Sequence, residues 1–188
     1  MQLTENTAFN KEDYSLYPLQ LAEYDNCSFT NCNFENSNLT GIVFTQCRFD
    51  NCNLVNTNVK GAAFKEVVFA DCKLLGLNFS IADPFLMTMG FERCIMQFVS
   101  FYRLKVKHTK FINCNLREAD FVEADLTGAL FKDCDLAEAV FENTILEKAD
   151  FRSATGYALD PERNRIKKAR FGKDGIGGLL LKYNIDID

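Results

Sequence analysis

The sequence has few of the residues on which catalysis and membrane insertion depend. It contains one histidine, His108, among 188 residues, so neither a histidine pair nor a multi-histidine metal site can be built. No stretch approaches the ~18 consecutive apolar residues that cross a bilayer, and the N-terminus lacks both the basic start and the apolar core of a signal peptide. These absences predict a soluble, cytoplasmic protein without membrane contact.

Basic residues are also in short supply. The chain has 21 Lys and Arg against 26 Asp and Glu, which gives a net charge of −5. Because the phosphate backbone demands clustered cations, direct binding of nucleic acid is disfavoured. At 47% apolar residues, the chain can bury a core in one or two domains, which excludes disorder.

A period of five residues dominates the sequence. Large apolar residues, mostly Phe and Leu, stand at every fifth position from 29 to 79 and again from 91 to 151. Small or medium residues stand two positions before each of them. This period fits neither the 3.6 of a helix nor the 2.0 of a strand. It predicts a chain that turns a corner every five residues, so that four units close a square coil of twenty.

The cysteines bear out a second period of twenty. Cys32, Cys52 and Cys72 are twenty apart, and a second set of three follows with the same spacing at 94, 114 and 134. The step of 22 between the sets indicates a two-residue insertion. With that correction, eight phenylalanines fall into one column: Phe29, Phe49, Phe69, Phe91, Phe111, Phe131, Phe151 and Phe171. The thiols are predicted to be buried and reduced, without a disulfide or a bound metal.

Several units carry a recognisable signature. Ala119-Asp120-Phe121, Ala124-Asp125-Leu126 and Cys134-Asp135-Leu136 resemble the A(D/N)LXX consensus of the pentapeptide repeat family. The resemblance covers residues 22 to 171. It implies an all-β fold, a right-handed quadrilateral parallel β-helix, to which the sequence adds a short C-terminal helical cap.

The spacing divides the chain into five parts. Residues 1–25 are predicted to form an N-terminal cap and a first imperfect coil, 26–79 the first repeat block, and 80–90 an irregular break. Residues 91–171 form a second block whose last coil is interrupted near Asp160-Pro161-Glu162 by a turn or short helix. Residues 172–188 are predicted to form a cap, with a helix that starts at Asp174 and ends at Asn184 and a final strand at 185–188.

The break has two interpretations. It is either a tolerated two-residue insertion or a contact loop that bears Phe85 or Met87. Phe98 and Tyr102, which the register turns outward, could belong to the same surface. Both interpretations stay open on the sequence alone.

No catalytic set is present. The sequence has no P-loop, no G-x-G-x-x-G and no G-x-S-x-G, and its paired carboxylates lie on the outside of a rod with no implied cleft. His108 is turned outward and is expected to be solvated. We therefore expect no enzymatic activity, no cofactor, no metal and no small-molecule substrate.

Charge along the chain is uneven. Residues 112–156 hold 10 acidic and 4 basic residues, a net of −6, whereas residues 80–111 carry +3 and residues 157–188 carry +2. This segment is the predicted partner-binding acidic surface, with Glu118, Asp120, Glu123, Asp125, Asp133, Asp135 and Glu138. The alternative is that a soluble rod needs polar outward positions and that the consensus Asp caps the corners.

The layout resembles the subgroup that includes the Qnr quinolone-resistance proteins and the mycobacterial protein MfpA. The resemblance implies a homodimer joined through the C-termini, an acidic rod that imitates DNA, and binding to a type II topoisomerase (DNA gyrase or topoisomerase IV) that protects it from quinolones. The implied dimer interface is Ile176, Leu179, Leu180 and Leu181. The alternative function is a general protein–protein interaction scaffold.

Overall fold

The five-residue units wind into a square rod. The computed structural model describes residues 2–186, which form a parallel β-helix of about eight turns with little helix. Each unit directs two side chains into the rod and three outward, as the alternating burial shows. The predicted fold class is confirmed.

Two of the four sides contain parallel sheets. Side A contains β1 (Gln2–Glu5), β3 (Ala22–Asp25), β5 (Val43–Thr45) and β7 (Ala63–Lys65). Side B contains β2 (Ala8–Asn10), β4 (Ser28–Thr30), β6 (Arg48–Asp50), β8 (Val67–Ala70), β9 (Met89–Glu92), β10 (Lys110–Ile112), β11 (Leu130–Lys132), β12 (Asp150–Phe151) and β13 (Arg170–Phe171).

The other two sides are joined by single parallel bridges. Side C includes the pairs Asn33 with Asn53 and Asn115 with Asp135, and side D includes Ser100 with Asp120. At most corners, one residue with positive φ turns the chain, and its N–H donates to the next turn, as Asn51 donates to the carbonyl of Ala70 at 2.9 Å. Asn recurs here because it tolerates this conformation better than most residues.

Stacked phenylalanines fill the rod. Phe111 lies between Phe91 and Phe131, with ring centroids 5.2 and 5.0 Å away and the planes within 5° of parallel. These spacings are those of favourable offset stacking. The column begins one turn earlier than expected, because Phe9 stacks on Phe29 at 4.8 Å.

The N-terminal residues form a complete turn. β1 pairs with β3 and β2 with β4, each in the same twenty-residue register as the rest of the rod. Residue 1 of the expected cap lies outside the described residues.

The two-residue insertion lies on side A. Ala63 pairs with Asp83, and the N–H of Thr88 donates to the carbonyl of Phe64, so the extra residues lie between Asp83 and Thr88. A short 3₁₀ helix, η1 (Phe79–Ile81), precedes them. Sheet A ends at this break, whereas side B continues from β8 to β9 in register.

The C-terminal cap is made of two 3₁₀ segments, η2 (Lys173–Leu179) and η3 (Leu181–Tyr183). Asp174 does not cap the first of them as expected, since Gly172 holds the N-cap position without a side-chain hydrogen bond. Asn184 ends the second with φ of 47°, as predicted. Residues 184–186 form no strand, and 187 and 188 of the expected final strand lie outside the described residues.

The interruption before the cap is a turn rather than a helix. Asp160 accepts a hydrogen bond from the N–H of Glu162 at 2.8 Å, and the N–H of Arg163 donates to the carbonyl of Asp160. Lys182 Nζ forms ion pairs with Asp160 at 2.7 Å and with Glu162 at 2.8 Å. These contacts attach the cap to the rod.

Candidate interaction surfaces

The seven predicted acidic residues lie around the whole rod rather than on one side. Asp120 lies on side D, Asp125 on side A and Asp135 on side C. The other four occupy three corners: Glu118 and Glu138 between sides C and D, Glu123 between D and A, and Asp133 between B and C. The structure therefore brings together only some of these residues.

Basic neighbours one turn away pair with several of these carboxylates. Arg103 contacts Glu123 at 2.7 Å and Lys107 contacts Asp125 at 3.2 Å. The hydrogen bond from Arg103 lowers the pKa of Glu123 below its usual range. Arg117 lies between Asp135 at 3.3 Å and Glu138 at 3.6 Å. Much of the negative charge of segment 112–156 is therefore compensated locally.

Three of the acidic residues lie close together. We call Glu118, Asp120 and Glu138 the acidic corner. Glu118 and Glu138 occupy consecutive levels of the C/D corner, where the N–H of Glu118 donates to the carbonyl of Ala137 at 2.9 Å. Asp120 lies beside them on side D and accepts a hydrogen bond from Ser100 Oγ at 2.9 Å. Neither Glu118 nor Asp120 has an ion-pair partner among residues 2–186.

The diagonally opposite corner, between sides A and B, is basic. We call this the basic corner; its cations lie at the corner itself or within three residues of it. They are Lys105, Lys107, Lys110, Lys148, Arg165, Lys167, Lys168 and Arg170, against the acids Asp125, Glu147 and Asp150. Charge in this half of the rod is thus separated by side. The net charge of each segment does not reveal the basic corner. The twenty-residue spacing of Lys148 and Lys168 does indicate it, since it places the two lysines at the same corner of consecutive turns.

The structure places the candidate contact residues on different sides of the rod. Phe98 occupies the C/D corner directly before Glu118, and its side chain is 52% exposed. Tyr102 lies on side D under the guanidinium of Arg103, 4.8 Å from the ring centroid. Phe85 is 65% exposed in the break on side A, so side D separates it from Phe98. Met87, the other candidate contact residue, is buried in the core.

The four residues of the predicted dimer interface differ in exposure. Ile176 and Leu181 are 46% and 65% exposed, Leu180 is half-buried, and Leu179 packs against the core of its own chain. The exposed apolar surface of the C-terminal end is therefore centred on Ile176 and Leu181.

The cysteines are core residues. All eight are buried and unpaired, and their thiols donate to backbone carbonyls, as Cys52 does to Phe29 at 3.2 Å. Burial raises the pKa of Cys47 to about 12, so this thiol stays protonated. No group of three or more metal-ligating side chains occurs within residues 2–186.

His108 is exposed at the basic corner. Its imidazole rests over Gly128 in the next turn, where a Cβ would lie 2.5 Å from Nδ1. Gly128 itself has φ of 69°, so glycine suits this corner on both counts.

One open surface cavity contains ion pairs. It has a volume of about 460 Å³ and lies between side D and the cap. Its charged side chains pair with each other, Arg163 with Glu142 at 3.0 Å and Lys182 with Asp160 at 2.7 Å. This arrangement holds the last turns together and leaves no free carboxylate in the cavity for proton transfer.

Comparison with known proteins gives the family. A model of the pentapeptide repeat region matches residues 22–85 and 85–171. None of the curated proteins matches. In residues 2–186, no helix has the length and apolar character needed to span a membrane.

Solved structures of other proteins are similar to this chain at low identity. QnrB1, a plasmid-mediated fluoroquinolone resistance protein, is 17% identical over 99% of this chain and 100% of its own, with a TM-score of 0.47. HetL from Nostoc sp. strain PCC 7120, involved in heterocyst differentiation regulation, is 17% identical over 89% and 84%, with a TM-score of 0.45. A protein of the Arabidopsis thaliana thylakoid lumen is 20% identical over 54% and 69%, with a TM-score of 0.48. With a period of five, four sides per turn and a repeat model matched over residues 22–171, this chain belongs to the pentapeptide repeat family.

Proposed function

We propose that this protein is a non-catalytic binding protein whose acidic corner engages a type II topoisomerase, DNA gyrase or topoisomerase IV, in place of DNA. In doing so it protects the enzyme from quinolone-type inhibitors. The observation that carries the proposal is the stacking of Glu118 and Glu138 on consecutive turns beside Asp120, on a rod whose opposite corner is basic.

The stacked glutamates cost stability in the free protein. Consecutive turns of a parallel β-helix lie about 4.8 Å apart, and like charges on neighbouring strands repel. Arg117 compensates Glu138 at 3.6 Å but leaves Glu118 unpaired among the described residues. A cationic groove that receives the corner would relieve this repulsion, as DNA-binding grooves do for phosphates.

The charge pattern predicts a short contact. Duplex DNA carries one negative charge per roughly 1.7 Å of its axis, whereas the acidic corner provides three carboxylates over two turns. We therefore expect the rod to replace DNA over a limited part of the enzyme, with a footprint centred on Glu118 and Glu138.

The proposed assembly is a homodimer through the C-terminal ends. Ile176 and Leu181 are exposed there, on a cap that is fastened to the rod by Lys182. Packing of two such ends would bury these side chains and place an acidic corner on each arm of a longer rod.

The test is a supercoiling assay with purified gyrase and a quinolone, in the presence of excess protein. We expect the protein to restore supercoiling, and the double variant Glu118→Lys, Glu138→Lys to lose at least about tenfold of that protection. Glu66→Lys, at the exposed A/B corner, is the matched control and should protect like the parent. Protection that is absent from the parent, or equal in all three proteins, would overturn the proposal.

A second candidate function is a scaffold for a different protein. It is favoured by Phe98, a bulky exposed side chain held at φ of 59° in the same column as Glu118. Both exposure and this backbone conformation are unfavourable for phenylalanine in a free monomer. If Phe98→Asn leaves protection of gyrase intact while the lysine variants abolish it, the aromatic residue serves another partner.

A further inference from the structure

The N-terminal end of the rod is incompletely filled. The inward residues of the first turn are Thr4, Phe9, Tyr14 and Leu19, and they line an open cavity of about 290 Å³ together with Tyr24. In the following turns, the position of Thr4 is taken by Tyr24, Phe44 and Phe64. Threonine is much smaller than these aromatic residues, so the core lacks one large side chain at its N-terminal end.

A buried hydroxyl group lines this cavity without a partner. Tyr14 is only 8% exposed and stacks on Phe34 at 4.6 Å, and its hydroxyl makes no hydrogen bond within residues 2–186. Burial raises the pKa of Tyr14, so the phenol remains protonated and can donate. A buried donor left unpaired costs about 1–3 kcal/mol, which an acceptor entering the cavity would recover.

The strand beside the cavity has a free edge. In the second turn, the backbone of Asp25 faces the first turn, since its carbonyl accepts from the N–H of Asn6 at 3.0 Å. By register, the corresponding groups of Glu5 and Leu3 in β1 face away from the rod. Their one described partner is Thr7 Oγ1, which donates to the carbonyl of Glu5 at 2.9 Å. At the opposite end of the rod, η2 and η3 extend the chain past β13 as a cap.

The side A surface next to this edge is acidic. Glu5, Glu23 and Asp25 project outward there, and none forms an ion pair within the described residues. Residues 2–25 contain five acidic residues and one basic residue, Lys11, a net of −4. Two copies meeting at these ends would bring equal negative charges together, so the occupant is expected to be a cationic segment of another protein.

We propose that this N-terminal end binds an extended basic peptide segment as an added strand along β1. The backbone of the segment pairs with Leu3 and Glu5, in the manner of β-augmentation. Because side chains alternate along a strand, one of them points into the cavity above Thr4 while its two neighbours point outward. The inward side chain is long and accepts a hydrogen bond from Tyr14 at its tip, as glutamine does. The outward neighbours are Lys or Arg: one lies opposite Glu5, and the other lies opposite Leu3, one strand away from Glu23.

The probe is the fluorescein-labelled peptide Lys-Leu-Lys-Gln-Lys-Leu-Lys, blocked at both ends, titrated with the full chain and followed by anisotropy. Its comparators are the same peptide with Glu in place of every Lys, and one with a central Leu in place of Gln. We expect the first to bind in a salt-dependent way, the acidic peptide not to bind, and the leucine peptide to bind more weakly.

Three variants and one control locate the site. Glu5→Lys should weaken binding about tenfold, whereas the control Glu66→Lys, at a distant exposed carboxylate, should leave it unchanged. Thr4→Phe continues the aromatic column into the cavity, so it should abolish binding while raising the melting temperature, which distinguishes a filled site from a misfolded one. Tyr14→Phe should remove the preference for Gln over Leu.

Three results would each overturn the proposal: no binding of the lysine peptide, equal binding of the acidic peptide, or binding that Thr4→Phe leaves intact. Self-association that Thr4→Phe abolishes would also contradict it, since the occupant would then be a second copy. The gyrase assay above reports on the acidic corner, and its outcome is independent of this site.

Discussion

Phe69 and Phe91 stack with their ring centroids 5.4 Å apart and their planes within 8° of parallel, although 22 residues separate them instead of 20. The core column is therefore continuous through the break, and the two extra residues are accommodated entirely on side A. The local sequence explains this, because Ala82-Asp83 and Leu86-Met87-Thr88 would form a consensus unit if Pro84 and Phe85 were absent.

Deletion of Pro84 and Phe85 should therefore restore a regular turn. Leu86, which is 66% exposed, would become the inward residue in place of Met87. We expect a folded protein whose free energy of unfolding is unchanged or about 1 kcal/mol higher, since a shorter loop is closed and the burial of Leu86 offsets the exposure of Met87. Urea denaturation measures this, and a loss of more than about 2 kcal/mol would contradict the account.

The stacked column should dominate stability. Phe111 is fully buried between two parallel rings, so Phe111→Ala is expected to cost about 3–5 kcal/mol from lost burial and the cavity that remains. Phe85→Ala, at an exposed site, should cost less than about 0.5 kcal/mol. Equal losses for the two variants in urea denaturation would be incompatible with this packing.

Phe98→Asn should stabilise the free protein. Phe98 has a positive φ of 59°, and asparagine adopts such a conformation more readily than phenylalanine. We expect a gain of about 1 kcal/mol in the free energy of unfolding. Asn113→Ala, which removes asparagine from an equivalent corner with φ of 53°, should have the opposite sign.

Attachment of the C-terminal cap should depend on pH. The hydrogen bonds from Lys182 lower the pKa of Asp160 and that of Glu162 below their usual ranges. Because these folded-state pKa values are depressed, the stabilisation is present above the unfolded values and is lost as the pH falls through the folded ones. Carboxyl carbon shifts in NMR should show Asp160 titrating below the usual range of an aspartate. Lys182→Met should move that titration upward, and an unmoved midpoint would contradict the contact.

The C-terminal ends should mediate dimerisation through their exposed residues. Ile176→Arg combined with Leu181→Arg should give a monomer in light scattering while leaving the melting temperature nearly unchanged. Leu179 is unsuitable for this test, because it packs on the core and its replacement would disturb the cap. An unchanged mass for the double variant would exclude this interface.

The inward half of each unit could be predicted from the sequence, and much of the outward half could not. Phe49 and Cys52 reveal the columns to which they belong because few residue types fit a fully buried position. The periods of five and twenty are therefore visible in the sequence. Outward residues such as Glu123 and Lys107 obey no such constraint. Their significance depends on which residue lies one turn away, and a net charge summed along residues 112–156 mixes all four sides.

The structure of the ends of the rod could not be predicted from the repeat pattern either. The C-terminal cap lies directly against Tyr157: a Cβ at Gly175 would clash with the Tyr157 hydroxyl, and one at Gly178 would clash with its carbonyl oxygen. In the sequence, those glycines indicate only that a helix would be weak. Met87 is buried in the core although it lies in the break, because the insertion changes which residue points inward.

Competition with DNA tests the central claim most directly. Immobilised protein is exposed to gyrase in the presence of increasing duplex DNA, and the bound enzyme is measured by interferometry. If the acidic corner occupies a DNA-binding groove, DNA should displace the enzyme, and Glu118→Lys with Glu138→Lys should abolish binding whereas Glu66→Lys should not. Binding that DNA leaves unaffected, or that the lysine pair leaves at the level of the parent, would contradict the account.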